Sequence, residues 1–290
     1  MKFASRLFTA MLGVFLLAAS TAHAATVVIG YVNHSSYEVT AQVYRIVLER
    51  SGYNVAMKQG PASVMLPMLA NGDLDLFVAA TLPDTDSEEW SEYGENLSLV
   101  SPVYTDAKLF WAVPAYVPAD SVSSVADLAK PDVAAKMVKT IRGPGSNTRL
   151  MIRSTQLMDA YALSQAGYEL APGTTKDWVD LFNDNMEAKN WFVMPLWQPQ
   201  YLNKVAKLRI LKEPENILGA TETAWLVANK ASARGFAEHI FAMLQRMEFT
   251  VKNITDLDYT VNVEGTDPRE TAHRWMANHP YTVEYWITPD

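Results

Sequence analysis

Short apolar runs alternate with helically spaced apolar positions from residue 25 onward. Residues 26–31, 53–58 and 74–79 are runs of the kind that form buried strands. Between them, residues 37–51 and 62–70 carry apolar side chains at helical spacing, and each segment is followed by a glycine-containing stop. The order β-α-β-α-β predicts a parallel sheet with crossover helices.

A second series of elements follows, and it ends in a helical tail. Its pattern predicts strands at 107–114, 139–142, 191–195 and 208–211, and helices at 123–129, from Asn147 and at 174–189, the last capped by Thr174 or Thr175. After Ser232 the pattern is helical throughout, at 233–246, 250–257 and 267–278.

Two α/β series predict two lobes rather than one sheet. The helices of the tail have apolar stripes that need a lobe to cover them, so the tail should return to the first lobe. We therefore expect one discontinuous lobe at 25–105 plus 213–290 and a second lobe at 106–212.

The first 24 residues have the organisation of a cleaved secretory signal peptide. Lys2 and Arg6 precede an apolar stretch at 11–19, and Ala22-His23-Ala24 provides a small-residue cleavage site. An uncleaved anchor is the alternative, but the stretch is short for the ~20 residues of a membrane-spanning helix. Export into a periplasm is the expectation.

Composition excludes several kinds of protein. The 290 residues include no Cys, which excludes disulfides, thiolate metal ligands and a lipid-bearing cysteine. With 24 Lys and Arg against 32 Asp and Glu, the net charge of −8 argues against nucleic acid as a partner. The chain contains neither G-x-S-x-G nor H-E-x-x-H, so we expect no catalytic residues, no metal site and no cofactor. Asp84, Asp86, Glu88 and Glu89 resemble a solvated helix N-terminus.

Ligands of α/β lobes bind beyond the carboxyl ends of strands. Four such places follow the predicted strands: residues 32–36, residues 80–84, the glycine-rich turn at 143–149, and Trp197. The expected ligand-binding residues are Asn33, His34, Ser35, Ser36 and Thr81 from one lobe, with Gly145, Ser146, Asn147, Arg149 and Trp197 from the other.

An ordered set of short motifs gives these places a family context. The set comprises Ile29-Gly30-Tyr31-Val32-Asn33, Asn71-Gly72-Asp73-Leu74-Asp75 with Leu82-Pro83, residues 108–114, Pro144-Gly145, Trp197-Gln198-Pro199, Lys207-Leu208 with Glu213-Pro214, and Gly265-Thr266-Asp267-Pro268 with Trp275. In this order they resemble the substrate-binding proteins of ABC importers for glycine betaine, choline and proline betaine. The resemblance implies a two-lobed type II clamshell that delivers its ligand to a membrane permease and carries out no chemistry.

The chain departs from this family at the aromatic box that surrounds a quaternary ammonium. His34 and Thr81 occupy positions where family members have Trp, Leu109 aligns with a Tyr of some members, and Ser36 aligns with an Asp of choline binders. Of these positions, Trp197 alone keeps its aromatic identity. The loss of the other rings should weaken binding of a quaternary ammonium, unless Trp111, Tyr37 or Tyr201 replaces them.

The expected function is capture of a small zwitterionic or cationic solute, by a monomer, for the permease of an ABC importer. Glycine betaine or a related compatible solute is the first expectation, and an amino acid such as proline or histidine is the alternative. A periplasmic enzyme on the same scaffold and a sensor that presents its ligand to a receptor also remain open.

Overall fold

The computed structural model describes residues 25–288. The segment interpreted as a signal peptide, residues 1–24, lies outside this range. The strands of the described part are β1 (Thr26–Tyr31), β2 (Asn54–Gln59), β3 (Leu76–Leu82), β4 (Leu97–Pro114), β5 (Thr140–Gly143), β6 (Glu169–Pro172), β7 (Met194–Gln198), β8 (Leu208–Ile210) and β9 (Glu222–Asn229). Its α-helices are α1 (Ser35–Arg50), α2 (Ala62–Asn71), α3 (Ser87–Tyr93), α4 (Pro131–Ala134), α5 (Arg149–Ala160), α6 (Thr175–Ala188), α7 (Leu202–Val205), α8 (Lys230–Gly235), α9 (Glu238–Arg246), α10 (Val251–Asn262), α11 (Pro268–Asn278) and α12 (Pro280–Ile287).

The main sheet has the strand order β2-β1-β3-β9-β4-β7, with β8 paired to β4. Strands β1, β2 and β3 run parallel, as the β-α-β-α-β pattern predicts. Strand β9 lies antiparallel between β3 and β4, and the sequence analysis missed it. A separate parallel pair is formed by β5 and β6.

Strand β4 is shared between two sheet regions. Its first part pairs with β9, from Leu97 opposite Asn229 to Ala107 opposite Glu222. Its second part pairs with β7 from Lys108 onward, and with β8. Asp106 has a φ of 63° near the end of the first part, two residues before the strand changes partners. One strand therefore connects the sheet region of β1–β3 to that of β7.

The hydrophobic clusters follow the same division. One set packs side chains of β1, α1 and the C-terminal helices, including the buried Tyr44 and Trp286. Another set lies within residues 109–218 and contains the buried Trp111 and Trp178. The fold is thus a two-lobed α/β architecture with a helical C-terminal tail. The lobe boundaries at 25–105 plus 213–290 and at 106–212 stay a prediction.

Three local features differ from the sequence-based expectations. The predicted helix at 233–246 is two helices, because α8 ends at Gly235 and α9 begins at Glu238. Strand β7 begins three residues later than expected, so that Trp197 lies within the strand and not after it. Residues 222–229 form the additional strand β9. Thr174 caps α6 as predicted, through a capping box with Asp177.

Among residues 25–288, no helix has the length and apolar character needed to cross a membrane.

Candidate functional site

A cavity of about 400 Å³ lies where the two sheet regions meet. Most of the residues that the sequence analysis selected line it, although they come from four separate segments of the chain. Those that line the cavity are Asn33, His34, Thr81, Gly145, Asn147, Arg149 and Trp197. Their contact with a ligand stays a prediction, because the structure contains none.

Three of the selected residues are not among those that line this cavity. The Ser35 hydroxyl donates a hydrogen bond of 2.6 Å to Asp258. Ser36 is buried, with its Oγ 2.8 Å from His34 Nδ1. Ser146 lines a separate cavity of about 340 Å³. Ser35 and Ser36 are thus placed to support the lining residues rather than to form the wall.

His34 is the N-cap of α1, and its ring is fixed by that position. Its backbone is extended, and its Nδ1 accepts the Ser36 backbone N–H at 3.3 Å. Because a backbone N–H can only donate, Nδ1 must be an acceptor, and the neutral ring carries its proton on Nε2. Burial lowers the pKa of His34, while the nearby Asp258 carboxylate opposes this shift. His34 therefore contributes a neutral N–H donor at this wall.

Trp197 is held against two other rings. It stacks on the buried Trp178 with 5.0 Å between ring centroids and 13° between planes. The His34 ring meets it edge to face at 5.2 Å. Trp178 is itself anchored by a hydrogen bond from its Nε1 to the Pro195 carbonyl oxygen at 3.2 Å. Trp197 is thereby a preorganised aromatic surface in the cavity wall.

Two tyrosines add rings that the family motifs do not indicate. Tyr37 and Tyr104 both line the cavity, with 3.5 Å between their hydroxyl oxygens. Of the other rings considered as replacements, Trp111 is fully buried and donates to Ser154 Oγ at 2.9 Å. Tyr201 is half-buried outside the cavity lining. The aromatic part of the cavity therefore combines His34, Trp197 and the two tyrosines.

The N-terminus of α5 also lines the cavity. Thr148 caps this helix, and its Oγ1 accepts the Met151 backbone N–H at 3.3 Å. The preceding residues Gly145 and Asn147 line the cavity. A helix N-terminus presents backbone N–H groups and positive partial charge, which favour a carboxylate. This wall is suited to an anionic ligand group.

Asp84 joins the two lobes beside the cavity. Arg149 Nη2 donates to the Asp84 backbone carbonyl oxygen at 2.7 Å, and Arg153 forms an ion pair with the Asp84 carboxylate. Arg153 also donates to the Ile217 carbonyl oxygen at 2.5 Å. Asp84 is therefore only partly solvated, because its side chain is 35% exposed and pairs with cations of α5. Glu88 and Glu89 lie in the first turn of α3, as the sequence analysis expects.

Asp86 and Glu222 are buried carboxylates that the sequence analysis did not place in the site. Asp86 accepts the Thr81 backbone N–H at 2.7 Å and is 8% exposed, so it is not solvated. Glu222 is 7% exposed, lines the cavity and accepts the backbone N–H groups of Asp84 and Thr85. No sequence signal marks Glu222: burial alternates at the start of β9, but the residues Glu222-Thr223-Ala224-Trp225 do not alternate between polar and apolar.

Asp86 should make the protein less stable as the pH rises from about 4 to about 7. Burial raises the pKa of Asp86 to about 7, against about 4 in an unfolded chain. Within that window the folded protein holds a proton that the unfolded chain has released, so the free energy of unfolding falls with pH. Asp86→Asn retains an acceptor for Thr81 and should flatten this decline. Urea denaturation of the wild-type and Asp86→Asn proteins between pH 4 and pH 8 measures the free energy of unfolding. The same dependence on pH in both proteins would contradict the raised pKa of Asp86.

Known proteins share both the sequence pattern and the fold. A family model described as the substrate-binding domain of an ABC-type glycine betaine transport system matches residues 25–278. The glycine betaine/carnitine transport binding protein GbuC of Listeria monocytogenes is 23% identical over 158 residues, which are 54% of this chain and 52% of that protein. The chain thus aligns with about half the length of this relative.

Two solved structures illustrate the shared fold. Lactococcal OpuAC, in a closed conformation with glycine betaine, has a TM-score of 0.78 and 23% identity, covering 91% of this chain and 100% of that chain. An ABC-transporter choline-binding protein in complex with choline has a TM-score of 0.74 and 20% identity, covering 90% and 91%. At these identities the structures show the type II clamshell fold. The match over residues 25–278 shows that the chain belongs to the family of substrate-binding domains of ABC-type glycine betaine transport systems.

Proposed function

We propose that this protein captures a small zwitterionic amine in the cavity between its lobes and delivers it to the permease of an ABC importer. The observation that carries the proposal is the mixed lining of one cavity. Aromatic rings and a buried carboxylate line it together with the N-terminus of α5. Glycine betaine, or a related amine or amino-acid-like compatible solute, has the matching charges at its two ends.

Each wall would hold one end of the ligand. Trp197 would contact the cationic part, since an aromatic face attracts a cation by about 0.5–2 kcal/mol. His34 would donate its Nε2–H, while Asn33 and Thr81 would add hydrogen bonds from the first lobe. Gly145 and Asn147 at the start of α5, with Arg149, would hold the carboxylate. Ser35 and Ser36 would position His34 and its surroundings, and Ser146 would support the turn before α5.

Ligand release would require the lobes to separate. The predicted lobes, residues 25–105 plus 213–290 and residues 106–212, would move about the connecting segments, which include β4 near Asp106. The contacts of Asp84 with Arg149 and Arg153 would then break. A binding protein that opens and closes in this way needs no catalytic residue or cofactor. We place it in a periplasm as a monomer, after export by the predicted signal peptide.

An amino acid such as proline or histidine is the second candidate ligand. The specific observation in its favour is the polar character of the positions where the family has rings, namely His34 and Thr81. These side chains hydrogen-bond rather than attract a methylated ammonium. A site built on hydrogen bonds rejects ligands that leave its polar groups unpaired.

A thermal-shift screen tests the proposed function. Glycine betaine, proline betaine, choline, carnitine, ectoine and the common amino acids should be measured at millimolar concentration. A ligand present at a hundred times its Kd adds about 2.7 kcal/mol of stability, so at least one of these zwitterions should raise Tm by several degrees. No shift with any of them would contradict the proposal.

A further inference from the structure

Glu222 is a buried carboxylate that faces the cavity without a cationic partner. Its Oε1 accepts the backbone N–H groups of Asp84 at 2.8 Å and Thr85 at 2.7 Å, and its Oε2 accepts the Thr85 hydroxyl at 2.6 Å. Across residues 25–288, no Lys, Arg or His side chain forms an ion pair with it. All three of its partners are neutral donors.

The neighbours of Glu222 do not neutralise it either. Asp86 lies near enough for the Glu222 carboxylate to help raise the pKa of Asp86, and Tyr37 and Tyr104 contribute hydroxyl groups. Arg149 directs its guanidinium to Asp84. Lys108 also lines the cavity, with its Nζ 5.9 Å from the Phe110 ring. Neither of these two cations pairs with Glu222 in the described residues, so the cation of a bound ligand could pair with its carboxylate.

The hydrogen-bonding capacity of Glu222 narrows the kind of cation. An ionised carboxylate accepts about four hydrogen bonds, and the protein supplies three. A ligand N–H can provide a further bond with the strength of a charge-assisted pair. A trimethylated ammonium has no N–H and would leave the remaining acceptor unpaired. In the family, Trp rings at two positions would make up for this lost hydrogen bond by attracting the methylated cation. His34 and Thr81 occupy those two positions here.

We infer that Glu222 determines specificity in this cavity, by selecting zwitterions whose cation is a primary or secondary ammonium over their fully methylated counterparts. The inference rests on the proposed function, since it assigns the ligand class of the same site. It also assigns a role to a residue that none of the family motifs in the sequence includes.

Titration calorimetry with matched ligand pairs tests this inference. The pairs are proline with proline betaine, and sarcosine with glycine betaine, each differing in N-methylation. In the wild-type protein, the N–H-bearing member of at least one pair should bind about fivefold or more tightly than its methylated partner. Glu222→Gln should raise the Kd of the N–H-bearing ligand by about five- to tenfold. The Kd of its methylated partner should stay within about twofold of the wild-type value.

Glu213→Gln is the matched control. Glu213 is a half-buried carboxylate that also accepts one hydroxyl, from Tyr161 at 3.0 Å, and a backbone N–H, from Leu218 at 3.2 Å, but it does not line the cavity. Glu213→Gln should change neither the Kd of either ligand in a pair nor the preference for the N–H-bearing one. The comparison of the ligand pairs on the wild-type protein needs no variant. It therefore tests the predicted preference even if Glu222→Gln fails to fold.

Two results would overturn the inference while leaving the proposed function intact. One is tighter binding of the methylated member in both pairs. The other is an equal loss for both members of a pair in Glu222→Gln. If no zwitterion in the wider screen binds, the proposed function fails, and the assignment of Glu222 fails with it.

Discussion

Replacing Trp197 with alanine is expected to weaken ligand binding by about ten- to a hundredfold. Trp197 is the one ring that the family's aromatic box retains in this chain, and it is stacked on Trp178 and bounded by His34. Truncation of a hot-spot Trp at a binding site costs about 2 kcal/mol or more, and about 1.4 kcal/mol corresponds to tenfold in Kd. Titration calorimetry with the best ligand of the screen measures the change.

Trp90→Ala is the control for this prediction. Trp90 lies on α3 and packs against the cluster that contains Leu66 and Phe77, outside the cavity lining. Its removal should lower Tm while leaving Kd within about threefold. Trp197→Phe keeps a ring in the cavity and should recover much of the affinity that alanine loses. Equal losses of affinity in Trp197→Ala and Trp90→Ala would show that Trp197 contributes through folding alone.

Choline is expected to bind at least about tenfold more weakly than the best ligand that carries a carboxylate. It can contact Trp197 but offers nothing to the backbone N–H groups at the start of α5, and it has no N–H for Glu222. A hydrogen bond to a charged group contributes about 1.5–3 kcal/mol. Loss of one such bond at the helix N-terminus is therefore enough for a tenfold difference in Kd, which is about 1.4 kcal/mol. Competition titrations of choline against the best carboxylate ligand give the ratio.

Choline binding as tight as that of any carboxylate ligand would contradict this expectation. It would show that Tyr37 and Tyr104, together with Trp197, rebuild an aromatic box for a quaternary ammonium. Asn147→Ala offers an internal comparison, because Asn147 lies in the turn before α5. Asn147→Ala should reduce the affinity for carboxylate ligands and leave the Kd of choline within about twofold.

The regular part of the fold is predictable because its signal is local. The segments from β1 to β3 show clean hydrophobic periods, and the structure contains them within two or three residues of the expected bounds. Thr174 was identifiable as a cap because capping depends on side chains within one turn of the helix. The cavity positions that follow β1 and β3 could be located by the rule that α/β ligands gather at the carboxyl ends of strands.

What could not be predicted depends on contacts that are distant in sequence. Strand β9 joins the sheet between β3 and β4, and nothing near Glu222 indicates those partners. Asp84 and Asp86 have the spacing of a solvated helix start, but Arg153 pairs with Asp84, and Asp86 is buried where it accepts the Thr81 backbone N–H. Tyr104 enters the cavity because β4 changes partners near Asp106, which a strand pattern alone does not indicate.

A crystal structure with the tightest ligand of the screen tests the central claim most directly. We expect the ligand in the cavity lined by His34, Thr81, Asn147 and Trp197, with its cationic end between Trp197 and Glu222. Its carboxylate should accept hydrogen bonds from the start of α5. A ligand bound outside this cavity, or one whose carboxylate lies against Glu222, would contradict the account.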